Sequence, residues 1–191
     1  DKGEFSLTFM GYDNSWNSAD QIPERAIESG LIDELGSLDT TVGGQSDRYS
    51  LGANWRSENL VASAYVMSYS MNLWSNFTYF LDDPANGDQF EQVDDRTVYG
   101  GEASYRYEHS LLGKLSTTTF GTQVRIDDID EVGLYHTQAR QRLGVIRSDE
   151  VTESSLGAYV NYEAYWTQRL RTVLGLRYDY FDFDVQNLAG V

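Results

Sequence analysis

Cysteine is absent from the 191 residues, so neither a disulfide framework nor a thiolate metal site is available. Proline occurs only twice, which leaves long stretches free to pair as strands. Histidine also occurs only twice, as His109 and His136, and that excludes a histidine-rich metal centre. Basic residues are scarce: 14 Lys and Arg stand against 30 Asp and Glu, a net charge of −16 that disfavours nucleic acid as a partner. No apolar run reaches the length of about 18 residues that a transmembrane helix needs. That last absence decides little, because half of every strand in a membrane barrel faces a polar lumen.

What the chain does have is glycine (17 residues) and aromatics (14%), a composition of strands and turns rather than helices. Residues 170–180 alternate Leu174, Leu176, Tyr178 and Tyr180 with Gly175, Arg177 and Asp179, giving one apolar and one charged face. The pattern recurs upstream. Tyr49, Leu51, Ala53 and Trp55 oppose Arg48, Ser50, Asn54 and Arg56; Tyr99, Ala103, Tyr105 and Tyr107 oppose Glu102, Arg106 and Glu108. Phe120, Val124 and Ile126 oppose Gln123, Arg125 and Asp127; Leu156, Ala158, Val160, Tyr162 and Ala164 oppose Glu153, Ser155, Asn161 and Glu163. Near the start, Phe5, Leu7 and Phe9 oppose Glu4, Ser6 and Thr8. Within these runs the charges fall on the less apolar side. An arginine facing lipid at mid-membrane costs roughly 2–4 kcal/mol, so this segregation reads as a membrane-spanning β-barrel. From Leu60 to Leu81 the odd positions Tyr65, Met67, Tyr69, Met71 and Leu73 look like the outer face, but no charge marks the other side.

Three acidic segments, 13–46, 82–96 and 127–150, hold 19 acidic and five basic residues and so account for −14 of the net charge. They alternate with tight connections near Arg56–Asn59, His109–Lys114 and Thr167–Arg169. Short periplasmic turns and long outer loops follow this rule. About seven strands result, with Trp55, Tyr107 and Trp166 before the short turns and Tyr12, Tyr99 and Tyr180 toward the loops, as interfacial girdles require. An odd count cannot close into a single-chain bacterial barrel, so residues 1–191 read as a partial barrel domain with no plug domain of its own. The opening Asp1 in place of Met agrees with an upstream segment removed or not included. Within the first loop, Asp20–Gly30 reads as a short helix with Asp20 as N-cap, Pro23 in the first turn and Gly30 at the end.

Few residues suggest site chemistry. The loop from Asp82 fails as an EF-hand, since Pro84 and Val93 occupy positions where acidic ligands are needed. A looser oxygen-rich calcium site from Asp82, Asp83, Asp88 and Glu91 stands against the alternative of a solvated acidic loop. Asp127, Asp128, Asp130 and Glu131 have the same two readings. His136 near Asp130 or Ser148 lacks the spacing of a hydrolytic centre, so no catalytic residue and no enzyme activity is expected. Arg140, Arg142 and Arg147 suit either an anionic ligand or balance of the neighbouring acids.

Gly133-Leu-Tyr-His-Thr-Gln-Ala-Arg140 leading into Val151, and Leu174-Gly-Leu-Arg-Tyr-Asp179, resemble the β-barrel portion of TonB-dependent outer-membrane receptors. Gln21–Arg25, Gly43-Gly44 before Arg48–Leu51, and Asn76–Phe80 followed by Gly87–Glu91 support the likeness, which runs along nearly the whole chain. The resemblance implies an all-β, antiparallel transmembrane segment of a 22-stranded barrel in the outer membrane of a Gram-negative bacterium. It further implies lipid around the barrel, and a separate plug domain and TonB as partners in the parent protein. The expected function is TonB-energised uptake of a small scarce ligand such as a siderophore, metal chelate or similar nutrient, with no cofactor. Because large lumens and loops are where such barrels bind, the candidate ligand contacts are Trp16, Tyr135, His136, Arg140 and Arg142. The alternatives are a passive outer-membrane barrel and a soluble β-sandwich binding module, whose apolar faces would pack on one another.

Overall fold

In the computed structural model, which describes residues 2–190, seven antiparallel strands lie in one sheet in simple sequence order. They are β1 (Glu4–Asn17), β2 (Gly43–Arg56), β3 (Leu60–Ser75), β4 (Phe90–Leu111), β5 (Lys114–Gln138), β6 (Gln141–Thr167) and β7 (Leu170–Asn187), with one short helix, α1 (Glu24–Glu28), after β1. Each strand pairs with its sequence neighbour, so the sheet is an up-and-down meander whose outer edges are β1 and β7. A β-sandwich would need a second sheet over the apolar face, and the described strands form only one.

Register explains why the alternation matters. One row of paired residues crosses all seven strands as Leu7, Ala53, Ala64, Gly101, Val124, Leu156 and Tyr180. The adjacent row reads Ser6, Asn54, Ser63, Glu102, Gln123, Gly157 and Asp179. Directly paired residues share a face of the sheet, and successive residues take opposite faces. The first row is therefore the lipid-facing surface and the second the lumen wall. Leu7, Val124 and Leu156 are 62%, 48% and 49% exposed, which only a hydrocarbon surround makes favourable for a continuous apolar surface.

The same register corrects the phase expected for β3. Tyr65 pairs with Gly52 and Gly100, Met67 with Ser50 and Val98, and Tyr69 with Arg48 and Arg96, so the odd positions face the lumen. Ala62, Ala64 and Val66 take the lipid side, beside Trp55, Ala53 and Leu51. The misleading feature is that bulky Tyr65 lies flat over its neighbour: a Cβ at Gly100 would overlap the Tyr65 ring. Tyr159 lies over Gly121 in the same way, so two lumen-facing tyrosines fill space that missing side chains leave. Tyr12, expected in the outer girdle, pairs with Arg48 and belongs to the lumen face as well.

The long acidic segments are also shorter as loops than expected. β5 and β6 have 25 and 27 residues and meet at a two-residue turn, so 127–150 is a hairpin rather than a loop. Ala139 and Arg140 at its tip both have positive φ (48° and 66°), as a hairpin turn of the I′ type demands. Similarly β4 begins at Phe90 inside 82–96, and β1 and β2 extend to Asn17 and from Gly43. A strand crosses a bilayer in about 9–11 residues, so the outer halves of these strands project into water. Charge is tolerated there on both faces, and the sequence pattern of a projecting strand resembles that of a loop. Bulges between Ile129 and Val132 and near Tyr135 and Thr137 accompany the projection. In the first loop, α1 is shorter than expected. Pro23, in extended conformation, is its N-cap, and Gly30 follows it at φ 75°. Asp20 is no cap. It accepts the Asn76 backbone N–H (2.6 Å) and ties the first loop to the second.

Candidate functional site

Two regions of the sheet concentrate polar chemistry: the lumen wall and the outer end. On the wall, an Arg and an Asp two residues apart share a face, so they pair within one strand. Arg125 binds the Asp127 carboxylate through Nε and an Nη (2.6 and 2.7 Å), and Arg177 binds Asp179 in the same forked manner (2.9 and 2.6 Å). Arg96 does so with Asp94 in reverse order (2.6 and 2.5 Å). Gln123 donates to Glu102 (3.1 Å) between them. A cleft of about 430 Å³ runs over this wall, lined by Tyr65, Glu102, Gln123, Arg125, Arg177 and Asp179. Such pairs keep a water-filled lumen polar yet locally neutral; the exposed Arg177–Asp179 pair adds little stability, whereas the Asp127 carboxylate held by Arg125 is buried.

The outer end is built differently, from residues far apart in sequence. Gln89 lies just before β4 and is 2% exposed. Its amide nitrogen donates to Asp39 (2.8 Å) and to the Thr41 hydroxyl (2.7 Å). Its amide oxygen accepts from the Thr137 hydroxyl (3.0 Å) and the Arg140 backbone N–H (2.8 Å). Asp39 also accepts from Asn76 (2.9 Å) and from the Thr41 backbone N–H (2.9 Å) and hydroxyl (2.5 Å). Desolvation pushes the Asp39 carboxyl up, but the donors Asn76, Thr41 and Gln89 together hold it below the usual carboxylate range. Arg140 closes the ring, donating from Nε to the Thr41 carbonyl (2.6 Å) with its guanidinium 4.6 Å from the Trp74 ring centroid. The first loop, the second loop and the β5–β6 hairpin are locked together here.

A second cluster sits beside it on β2–β6. Arg142 donates to the buried Glu91 carboxylate (2.6 Å) and lies 3.7 Å over the Tyr135 ring. Asn72 donates to the other Glu91 oxygen (2.8 Å) and Gln45 donates to Asn72 (3.2 Å). The Tyr135 hydroxyl meets Glu131 and Ser148. A cation stacked on a tyrosine and fixed by a buried carboxylate is a rigid arrangement, worth about 1–2 kcal/mol from the stacking alone.

The second loop contains its own small scaffold. Asp88 accepts the backbone N–H groups of Leu81 (2.7 Å), Asp82 (3.1 Å) and Asp83 (2.7 Å). Asp83 in turn accepts those of Ala85 and Asn86 (3.0 Å each). His136 approaches from β5, its Nε2 2.7 Å from the Gly87 carbonyl and 3.9 Å from Asp83.

Of the residues singled out by sequence, Tyr135 and Arg142 are therefore brought into contact, and Arg140 joins the neighbouring network. His136 stands on the acidic loop, and Trp16 lies apart at the end of β1 with its indole over Gly44. The four calcium candidates do not converge. Asp83 and Asp88 are engaged in turning the loop, while Glu91 is held by Arg142 and Asn72. Asp127 is paired with Arg125 on the lumen wall, whereas Glu131 lies beside Tyr135. Among the described residues no group of three or more His, Asp or Glu is placed to hold a metal ion. Asp39, Gln89 and Trp74 belong to the centre of the site without having been marked as site residues by sequence, because their contacts join distant segments; Glu91, marked only as a calcium candidate, is the carboxylate that holds Arg142.

A lipid-facing apolar surface, a polar lumen wall and a projecting outer end are thus parts of one sheet, with every strand in meander order. The family described as TonB dependent receptor-like, beta-barrel matches residues 2–191. The chain belongs to this family. TonB-dependent receptors are receptors and transporters of the bacterial outer membrane, and that general role agrees with the charge segregation between the two faces. No curated protein and no solved structure matches this chain. The relation accordingly rests on the family match and on the sheet itself.

Proposed function

We propose that this TonB-dependent receptor barrel imports a small scarce nutrient, such as a metal chelate, by TonB-energised transport across a Gram-negative outer membrane. The observation that carries the reading is the outer end of the sheet, where two loops and a projecting hairpin are fastened by buried polar side chains. A passive pore gains nothing from a fixed outer surface, whereas a receptor needs a preorganised one. Within that surface His136 and Arg142 keep solvent access, with side chains 30% and 42% exposed, and act as ligand contacts. Trp16, Tyr135 and Arg140 support them. Plug domain and TonB would be contributed by the rest of the parent protein and the inner membrane.

The test is uptake in the source bacterium. Deleting the gene should abolish growth on one limiting nutrient, and deleting TonB or dissipating the proton gradient should have the same effect on that nutrient. Uptake that persists without TonB would favour a passive barrel and overturn the energised reading.

A further inference from the structure

Five arginines of the lumen wall are neutralised where they stand. Arg125 and Arg177 each meet an aspartate two residues on, Arg106 meets Glu108 at the same spacing, and Arg96 meets Asp94 two residues back. Arg171 reaches Glu163 across the β6–β7 pair (3.1 Å). Arg48 of β2, also on the lumen face, breaks this rule. The positions two residues to either side of it are Ser46 and Ser50. Its direct partners across the sheet are Tyr12 on β1 and Tyr69 on β3. Diagonal to it stand Asn14 and the chain's three methionines, Met10, Met67 and Met71. None of these same-face neighbours carries a negative charge. The Arg48 Nε is buried and has no hydrogen-bond partner among the described residues. A buried donor in this state is costly until an acceptor reaches it.

Height along the strands places this patch at the outer mouth of the lumen. At the level of Arg48 the paired residues Asp13 and Asp47 face the other way, and two carboxylates there put this level above the hydrocarbon. A molecule entering from outside therefore passes Arg48 early. A guanidinium offers a rigid fork of N–H groups that matches the oxygens of a carboxylate or phosphate. The tyrosines and methionines around it offer apolar surface, and methionine adapts readily to the shape of what it covers. We propose that Arg48 is an anion-binding residue, taking a small molecule that carries a carboxylate or phosphate on an apolar body. The proposal deepens the receptor reading above, on which it rests for transport but not for binding.

Saturation-transfer NMR on the full-length protein in detergent tests it with four probes: phenylacetate, phenylphosphate, the neutral phenylacetamide, and acetate. At least one of the two aromatic anions should bind about tenfold or more tightly than the amide, and the tighter of them identifies the group as carboxylate or phosphate. Acetate, which lacks the apolar body, should bind about tenfold or more weakly than phenylacetate. Two substitutions locate the site. Ser50→Asp recreates beside Arg48 the spacing of Arg125 and Asp127, and should abolish the preference for anions while the arginine stays in place. Arg48→Lys keeps the charge but loses the fork, and should retain weakened binding. Equal affinity for anion and amide, acetate as tight as phenylacetate, or a preference that survives Ser50→Asp would overturn the proposal. So would failure of both aromatic anions to bind the unsubstituted protein, which would give the guanidinium to a carboxylate elsewhere in the parent chain, such as its plug. Probe binding needs no energy source. Anion binding with TonB-independent uptake would therefore remove the transport reading and leave the site, and the reverse result would do the opposite.

Discussion

Gln89 is polar and almost wholly buried, and its amide can make two donations and two acceptances; the outer network uses all four. Gln89→Leu keeps the volume but removes the acceptor of the Thr137 hydroxyl and the Arg140 N–H, and one donor each from Asp39 and the Thr41 hydroxyl. A cost on the order of 2–4 kcal/mol to the docking of the outer loops is expected. Hydrogen exchange should show residues 38–42 losing protection while β2 to β6 within the membrane keep theirs; unchanged protection would mean that the loops dock by other contacts. A second residue-scale test concerns pH. Desolvation raises the Asp88 carboxyl, yet the Asp83 N–H, the Thr78 hydroxyl and the Asp82 and Leu81 N–H groups bring it down to about 2. Because the folded value lies below the ordinary 3.8, the contribution of Asp88 to loop order is complete above about pH 4 and is lost as pH falls through about 2. The amide protons of residues 81–83 should report a midpoint near the lower value, and the Asp88→Asn protein should show no such transition. Gln89 was not legible in the sequence as a determinant, because the contacts it makes span long separations; Arg140 and Thr41, in the same network, are 99 positions apart.

At the scale of the strand, legibility depended on charge. Within the runs 48–56, 97–108, 118–127, 153–164 and 170–180 of β2, β4, β5, β6 and β7, Arg, Asp and Glu keep to one parity, and an ion facing hydrocarbon is costly enough to fix the face without any structure. β3 has no such marker. Its lumen face uses Tyr65, Met67 and Tyr69, whose apolar bulk mimics a lipid face, while its lipid face is built from the small residues Ala62 and Ala64 with Val66. Only the register against Gly52 and Gly100 reveals the phase. The distinction is testable with two neighbouring substitutions in the full-length protein. Val66→Arg should destabilise the barrel in lipid vesicles by roughly 2–4 kcal/mol, read from urea unfolding, whereas Met67→Arg should cost under about 1 kcal/mol. If the order of the two were reversed, the odd positions of β3 would face lipid after all. The projecting halves of β5 and β6 escaped sequence reading for a related reason: outside the membrane both faces are wet, so the alternation that announces a strand fades where Asp127–Glu150 continue to pair.

At the scale of the molecule, one sheet has to satisfy two solvents, and two adjacent rows of seven residues show how it does so. Leu7, Ala53, Ala64, Gly101, Val124, Leu156 and Tyr180 present hydrocarbon and aromatic surface; Ser6, Asn54, Ser63, Glu102, Gln123, Gly157 and Asp179 present hydrogen-bonding groups. A one-residue slip anywhere would exchange the two sets, so the membrane itself enforces the register across the sheet. The absence of cysteine makes this directly measurable, because each introduced thiol in this chain can carry a single spin label. In the full-length protein reconstituted in a bilayer, labels at Ala64, Val124 and Leu156 should collide with dissolved oxygen and avoid a water-soluble nickel chelate. Labels at Ser63, Gln123 and Ser155 should do the reverse, the chelate entering through the lumen as far as the plug permits. A label pair that alternated on β5 and β6 but not on β3 would locate an error in one strand. Uniform access of the chelate to all six sites would instead mean that both faces meet water, and the membrane assignment of the whole sheet would fall with it.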